Sequence, residues 1–246
     1  MYYEVAGVGS TVIFLHGWGG SVDSFKGTYA HMSRYMKAVN LDFTGFGRSE
    51  PPETPLTVYD YAEKVRRLIG YLNCGAVVLI GHSFGGRIAL ILAAKYPDLI
   101  RAVILIDAAG LKPRRTLKYF YRKLRFIAAK FFVKIGIKRA ASLQKYGSPD
   151  YRTLSGVMKK TFVNVIKEHL HAYTDMIKCP ALIIWGSRDR DTPPYMARQL
   201  KAHIKDSRLV IFKGAGHYSY IDRFEECNIL IRQWILSLNA ERKGAI

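Results

Sequence analysis

Three residues that could together form a nucleophilic site follow strand-like segments of this 246-residue sequence. Ser83 lies at the centre of Gly81-His82-Ser83-Phe84-Gly85, a G-x-S-x-G pattern between an apolar run and a helical segment. A sharp strand-to-helix turn of this kind exposes the serine hydroxyl, and its glycines are needed because a side chain would clash there. An ordinary Gly-rich turn also produces this pattern by chance. A hydroxyl is moreover a weak nucleophile, so it needs a base that is itself oriented by an acid.

The acid and the base are expected after Ser83, in the chain order Ser, Asp or Glu, His. His217 follows the last apolar run of the chain, and Asp189 follows the run before it. The carboxyl ends of parallel strands meet at one edge of a sheet, where open α/β sheets place their sites. A lone His on a surface loop is usually only solvated, but three candidates in this order are harder to dismiss. We therefore predict Ser83, His217 and Asp189 as the catalytic residues.

Two other carboxylates compete with Asp189 for the role of the acid. Asp191 precedes Thr192-Pro193, where an Asp is a preferred helix cap and a Pro suits the first turn. Asp107 also ends a strand-like run, and its role could be limited to orienting its own loop. We favour Asp189 and leave the other two open.

Acyl transfer also needs backbone N–H groups that stabilise the negative charge developing on a carbonyl oxygen. One donor would be the N–H of Phe84, directly after the nucleophile. The other is expected from the loop after the first strand, where Trp18 is the natural donor among glycines. We expect His16 to form a structural hydrogen bond rather than to act as a catalytic base. The predicted supporting residues are His16, Gly17, Gly81 and Gly85.

The elements that must position these residues follow from the apolar runs. Buried, β-branched runs predict strands at residues 11–15, 38–42, 76–80, 102–106, 181–185 and 209–212. Apolar spacing and breaker residues predict helices at residues 56–72, 87–95, 193–203 and 224–238. Strands alternating with helices predict an α/β fold with a mostly parallel sheet wrapped on both faces. The gap from 108 to 178 is too long for a loop and predicts an inserted, mostly helical cap.

Together these landmarks resemble the α/β-hydrolase superfamily. The matching segments are His16-Gly17-Trp18-Gly19, residues 42–49, residues 81–86, residues 185–189 with Pro193, and Gly216-His217. The resemblance implies a doubly wound sheet of about seven strands, because the early strand at residues 11–15 leaves the family's first two strands abbreviated. It also implies a core formed by residues 1–110 and 178–246, interrupted by a helical cap at residues 111–177.

The resemblance further implies a serine hydrolase that cleaves a carboxylic ester of a small molecule through an acyl-enzyme, with no metal or cofactor. A serine nucleophile argues against the dehalogenase and epoxide hydrolase branches of the superfamily. The same residues also serve C–C bond hydrolysis or lyase chemistry in this superfamily. A non-catalytic ligand-binding protein of the same fold is a third hypothesis. The complete set of Ser83, His217 and Asp189 argues against it.

Positive charge is concentrated in the predicted cap. The chain has 38 basic and 19 acidic residues, and residues 112–178 hold 17 of the former and three of the latter. The rest is nearly balanced, and no nucleic-acid motif accompanies the charge, so no nucleic-acid partner is expected. Apolar residues at helical spacing predict one or two helices over residues 113–139 of the cap. Their apolar stripe would cover the active-site cleft, or they would bind an anionic membrane surface or acidic lipid.

Composition indicates a globular protein without a membrane-spanning segment. Hydrophobic residues make up 49% of the chain, which is too high for a disordered protein. The sequence shows no apolar run of membrane-spanning length and no signal peptide. Cys74, Cys179 and Cys227 form neither a disulfide framework nor a CxxC metal pattern. We therefore expect a cytoplasmic protein, peripheral at a membrane where the basic cap binds lipid.

Overall fold

A seven-stranded sheet forms the centre of the computed structural model, which describes residues 1–114, 117–135 and 149–243. The strand order is β1-β3-β2-β4-β5-β6-β7. The pairing of β1 with β3 is antiparallel, and the other five pairings are parallel. The strands are β1 (Tyr3–Ala6), β2 (Thr11–Leu15), β3 (Lys37–Leu41), β4 (Val77–His82), β5 (Ile100–Ile106), β6 (Ala181–Gly186) and β7 (Ser207–Phe212). The predicted α/β fold with about seven mostly parallel strands is confirmed.

The central strands are continuous apolar runs because helices cover both of their faces. Every residue of β2, β4 and β6 is buried. Successive residues of β2 alternate between two separate clusters of buried side chains: Ile13 and Leu15 belong to one, and Val12 and Phe14 belong to the other. The first cluster packs against α2 (Val58–Leu72), α3 (Phe84–Lys95) and α8 (Tyr195–His203). The second packs against α1 (Lys26–Met32), α9 (Ser219–Asp222) and α10 (Phe224–Lys243).

The described chain between β5 and β6 contains four helices joined by irregular segments. Its helices are α4 (Leu117–Lys134), α5 (Pro149–Thr153), α6 (Gly156–Lys167) and α7 (His171–Thr174). Residues 115–116 and 136–148 of the predicted insert, including the end of the helical segment predicted at 113–139, lie outside the described residues. The separation of a cap at residues 111–177 from a core at 1–110 and 178–246 stays a prediction.

Helix α6 is attached to the core, whereas α4 is mostly exposed. The Leu56 N–H donates to the Thr161 hydroxyl of α6 at 3.0 Å. Of the described side chains of α4, Ala129 is buried and nearly all the others are exposed. The expectation that the apolar stripe of this helix would cover the cleft is therefore wrong for its described side chains.

Several helix boundaries differ from the predictions, and one of these differences bears on the site. Helix α8 begins at Tyr195, and Pro194 is its N-cap residue without a side-chain cap. Asp191 therefore does not cap this helix, and the capping role considered for it is wrong. Among the helices of the described residues, none is long and apolar enough to cross a membrane.

Candidate active site

Ser83 lies in a strained turn between β4 and α3. Its φ of 48° is on the side of the backbone map that residues other than glycine rarely adopt. The turn leaves no room for a side chain at Gly81 or at Gly85. A Cβ on Gly85 would lie 1.9 Å from the Leu15 carbonyl oxygen, and one on Gly81 would lie 2.6 Å from the carbonyl oxygen of Gly85. Glycine at these two positions therefore permits the tight turn that places the Ser83 hydroxyl at the carboxyl end of β4.

Ser83, His217 and Asp189 form one hydrogen-bonded chain. The Nε2 atom of His217 lies 3.0 Å from Ser83 Oγ, and its Nδ1 atom lies 2.9 Å from Asp189 Oδ2. His217 follows β7 and Asp189 follows β6, so neighbouring strand ends bring the two side chains together. The Asp189 side chain is fully buried, and 13% of the His217 side chain is exposed. With the Nδ1–H bonded to the carboxylate, Nε2 can accept the proton of Ser83.

The pair of His217 and Asp189 shifts both pKa values in the direction that favours a charged pair. Burial lowers the pKa of His217, but the hydrogen bond and negative charge of Asp189 outweigh it and raise the pKa above 6.5. Burial raises the pKa of Asp189, but hydrogen bonds from His217 and Thr192 outweigh it and lower the pKa. Asp189 is therefore ionised at neutral pH and stabilises an imidazolium formed beside it.

Thr192, which the sequence did not indicate as a polar partner, fixes the orientation of the Asp189 carboxylate. Its hydroxyl lies 2.7 Å from Asp189 Oδ2 and 2.9 Å from the Asp107 carbonyl oxygen. The backbone N–H groups of Asp191 and Thr192 donate to Asp189 Oδ1 at 2.8 and 3.0 Å. Asp189 is thus the carboxylate in contact with His217, and Asp191 contributes a backbone donor.

Asp107 connects the loops that carry the acid and the base. Its carboxylate accepts hydrogen bonds from the Gly186 N–H at 2.8 Å and from the Ser219 N–H at 3.0 Å. Burial raises the pKa of Asp107 to about 7, although the hydrogen bonds from Ser219 and Gly186 favour the charged form. Gly186 ends β6 and Ser219 lies two residues after His217, so Asp107 positions both loops.

His16 is a structural residue of the loop after β2. Its Nε2 accepts the Phe43 N–H at 3.1 Å, and its Nδ1 lies 2.7 Å from the Gly17 carbonyl oxygen. Burial lowers the pKa of His16 to about 4, so the ring is neutral near pH 7. A Cβ on Gly17 would lie 2.8 Å from the His82 ring, so the loop packs directly against the nucleophile turn.

A cavity of about 370 Å³ lies over the serine, and both predicted oxyanion donors line it. The rings of Trp18 and Phe84 stack edge to face with centroids 5.3 Å apart. Within the described parts of the chain, the backbone N–H groups of these two residues have no hydrogen-bond acceptor. Phe162 and Val165 of α6 also line the cavity, which makes part of its wall apolar.

Two further arrangements at this edge of the sheet were not predicted. His82 is buried, and its Nε2 lies 2.8 Å from the His217 carbonyl oxygen, which fixes the backbone of the base. Because a carbonyl oxygen can only accept, the Nε2–H of His82 is the donor in this contact, and burial lowers the pKa of His82 to about 3. Asp189, Asp191 and His217 could place three metal-ligand atoms within 4.8 Å of one another. Because two of these residues already bond to each other in the serine chain, we assign no metal to them.

The fold and the hydrogen-bonded Ser-His-Asp chain are together typical of one class of hydrolytic enzymes. Residues 12–228 match the Alpha/beta hydrolase family, and the chain belongs to this family. The pimeloyl-[acyl-carrier protein] methyl ester esterase of Neisseria meningitidis is 27% identical, over 91% of this chain and 93% of that protein. The 2-(acetamidomethylene)succinate hydrolase of Mesorhizobium japonicum is 26% identical, over 86% and 83%. A thermophilic esterase from Thermogutta terrifontis superimposes with a TM-score of 0.74 at 22% identity, over 96% and 93%.

Proposed function

We propose that this hydrolase cleaves carboxylic esters of small molecules through Ser83, His217 and Asp189. The observation that carries the proposal is the unbroken hydrogen-bonded chain from Ser83 Oγ through His217 to Asp189. A ligand-binding protein of the same fold has no need for a strained serine with a base and an acid aligned behind it. The methyl ester esterase among the relatives supports an ester as the substrate.

The proposed reaction proceeds in two displacements. His217 Nε2 removes the Ser83 hydroxyl proton while Oγ attacks the ester carbonyl carbon. The N–H groups of Trp18 and Phe84 stabilise the oxyanion, and one such donor contributes about 3–4 kcal/mol to transition-state binding. His217 then protonates the leaving alkoxide, and the alcohol departs. Water attacks the resulting acyl-enzyme by the same route and releases the acid.

A serine-directed probe tests the nucleophile directly. A fluorophosphonate should label the wild-type protein at Ser83, and peptide mass spectrometry identifies the modified residue. The Ser83→Ala variant should lose both labelling and hydrolysis of a p-nitrophenyl ester. Ser237→Ala, which removes an exposed hydroxyl from α10, serves as the control and should retain both. Wild-type turnover by Ser83→Ala would contradict the proposal.

The same residues could break another kind of bond, and the relatives include a hydrolase named for 2-(acetamidomethylene)succinate. A panel of esters, amides and vinylogous C–C substrates at equal concentration distinguishes these reactions. The ester proposal predicts that kcat/KM is highest for an ester. A higher kcat/KM for a C–C or amide substrate would show that the enzyme cleaves a bond other than an ester. The proposed role of Ser83 as the nucleophile would be unchanged.

We further propose that α4 binds an anionic membrane surface. Its large apolar side chains are exposed: 65% for Leu124, 58% for Phe131 and 51% for Ile127. Residues 117–134 also carry six Lys or Arg and no acid. An exposed helix that combines apolar and basic residues is typical of proteins that bind in the plane of an anionic bilayer.

Vesicle sedimentation tests this second proposal. The wild type should pellet with vesicles containing phosphatidylserine and much less with pure phosphatidylcholine. Arg125→Gln combined with Lys130→Gln should weaken binding roughly tenfold or more, since each basic residue near such a surface contributes about 1 kcal/mol. Lys201→Gln combined with Lys205→Gln removes equal charge outside the insert and should leave binding unchanged. Equal pelleting on both kinds of vesicle would contradict the proposal.

A further inference from the structure

A buried arginine lines the same cavity as the proposed nucleophile. Arg87 lies on α3 four residues after Ser83, or about 6 Å along the helix axis. Only 9% of its surface is exposed. It is the one Lys or Arg among the described residues that line this cavity. The established family and the proposed ester chemistry do not require a cation at this position.

The guanidinium of Arg87 is only partly used by the protein. Its Nη1 donates to the carbonyl oxygens of Val165 at 3.1 Å and Glu168 at 2.8 Å. Within the described parts of the chain, Nε and Nη2 form no hydrogen bond, and no carboxylate oxygen lies within 4.0 Å of the group. Neither nitrogen is among the buried, unpartnered side-chain atoms of the described residues, so each keeps some accessible surface, and Arg87 is one of the residues that line the cavity.

Burying a guanidinium without a carboxylate partner is unfavourable unless hydrogen bonds or a ligand compensate for the lost water. Burial lowers the pKa of Arg87 only to about 10, so the side chain is a cation at neutral pH. Two carbonyl oxygens satisfy one of its three nitrogens. The remaining planar edge of N–H donors has the geometry that binds a carboxylate through two parallel hydrogen bonds.

The surroundings of Arg87 favour an anion that belongs to a ligand rather than to the protein. Phe162 and Val165 supply apolar wall, in which a charge–charge contact is stronger than in water. The two acidic side chains that line the cavity, Asp150 and Asp191, are both exposed to solvent. The negative charge of Glu168, the C-cap residue of α6, favours the charged form of Arg87. Its carboxylate accepts the Tyr59 hydroxyl at 3.3 Å and forms no ion pair with Arg87.

We propose that Arg87 binds a carboxylate carried by the substrate, so that the preferred esters are those with a free carboxylate group, such as monoesters of dicarboxylic acids. This inference rests on the proposed function, because it assumes that the bond to be cleaved is presented to Ser83. Arg87 would then be a specificity-determining residue of the cavity.

Binding to an inactive variant tests the inference independently of catalysis. In the Ser83→Ala background, calorimetry would compare monomethyl and dimethyl esters of the diacids from malonic to pimelic acid. The monomethyl and dimethyl esters of one diacid differ by a single free carboxylate. We expect the best monoester to bind at least tenfold more tightly than its diester, as for a charge-assisted hydrogen bond. Equal affinities across the whole series would overturn the proposal.

Three variants in this background locate the effect. Arg87→Met keeps much of the side-chain volume and should abolish the preference for the monoester. Arg87→Lys keeps the charge but not the planar fork and should retain part of it, which also covers the case in which Arg87→Met does not fold. Lys112→Met removes an exposed charge outside the cavity lining and should leave the preference intact. A preference that persists in Arg87→Met, or is unaltered in Arg87→Lys, would overturn the proposal.

Hydrolysis by the wild type separates this inference from the proposed function. Turnover of dimethyl esters without any preference for monoesters would overturn the role of Arg87 and support the esterase. A preference for monoesters in binding, without turnover of any ester, would support Arg87 and overturn the esterase.

Discussion

The sheet edge that carries Ser83 and the helix α4 differ in whether their side chains have partners within the protein. At the sheet edge, the Asp107 carboxylate accepts hydrogen bonds from Gly186 and Ser219, far away in the chain. The Asp189 carboxylate is bonded to the nearby Thr192 and to the distant His217. In α4, the described apolar and basic side chains mostly face solvent. The first region is therefore complete within the protein, and a change there should alter chemistry. The second is incomplete, and a change there should alter association with a partner.

The largest effect should follow from breaking the acid–base pair at the sheet edge. Asp189→Asn keeps the shape of the side chain but favours the wrong imidazole tautomer, and kcat should fall about 10⁴-fold. Asp175→Asn, which changes an exposed Asp that also pairs with a histidine, is the control and should leave kcat near the wild-type value. A loss of less than tenfold in Asp189→Asn would assign the acid to another residue.

The pH dependence of ester hydrolysis should report the raised pKa of His217. The general base must be neutral, so kcat/KM should rise with pH through the pKa and level off above it. Because Asp189 raises this pKa above 6.5, the midpoint should lie above pH 6.5, with about a tenfold loss for each pH unit below it. A midpoint below pH 6 would show that burial outweighs the carboxylate.

A smaller effect should follow from removing one hydrogen bond to the acid. Thr192→Val deletes the hydroxyl that donates to Asp189 and keeps the β-branched shape. A single hydrogen bond of this kind contributes about 1 kcal/mol, so kcat should fall roughly fivefold. Rescue by Thr192→Ser would attribute the loss to the hydroxyl. Unchanged kinetics in Thr192→Val would show that the backbone donors alone fix the carboxylate.

The smallest effect is expected in α4, where stability should hardly depend on the apolar residues. Leu124→Ala should change the free energy of unfolding by less than about 0.5 kcal/mol, because the side chain is 65% exposed. The same substitution at Leu200, which is fully buried in α8, should cost about 2–5 kcal/mol. Denaturant unfolding of both variants measures the contrast. A large loss in Leu124→Ala would show that α4 packs on the protein and is not a free surface.

The sequence was sufficient to predict the central strands because local residue pattern determines them. Runs such as residues 11–15 and 181–185 are apolar at every position, as a strand buried on both faces requires. The edge strand β1 (Tyr3–Ala6) was missed because it has four residues, all of them half-buried or exposed, and so lacks this signal. The cap was predicted to be helical, but the partners of α4 depend on tertiary packing that helical spacing alone does not contain.

Within the site, the residues with a motif were predicted and those defined by long-range contacts were not. The glycines around Ser83 reveal the turn, since a local clash explains them. Thr192 and Arg87 have ordinary sequence surroundings, and their importance arises from contacts with Asp107 and with the carbonyl groups at the end of α6. For Asp107, local pattern left open both the role of the acid and a loop role, and its hydrogen bonds to Gly186 and Ser219 show which loops it positions.

The separation of 134 residues between Ser83 and His217 has a consequence for the newly made chain. The serine turn is complete once β4, α3 and the neighbouring β2 have formed, but its base belongs to the last strand–loop unit of the fold. Until the loop after β7 is in place, Ser83 lacks the base that the proposed mechanism assigns to it and should react with esters no faster than an ordinary alcohol. Reaction with a fluorophosphonate would therefore report when the loop after β7 packs against the serine turn.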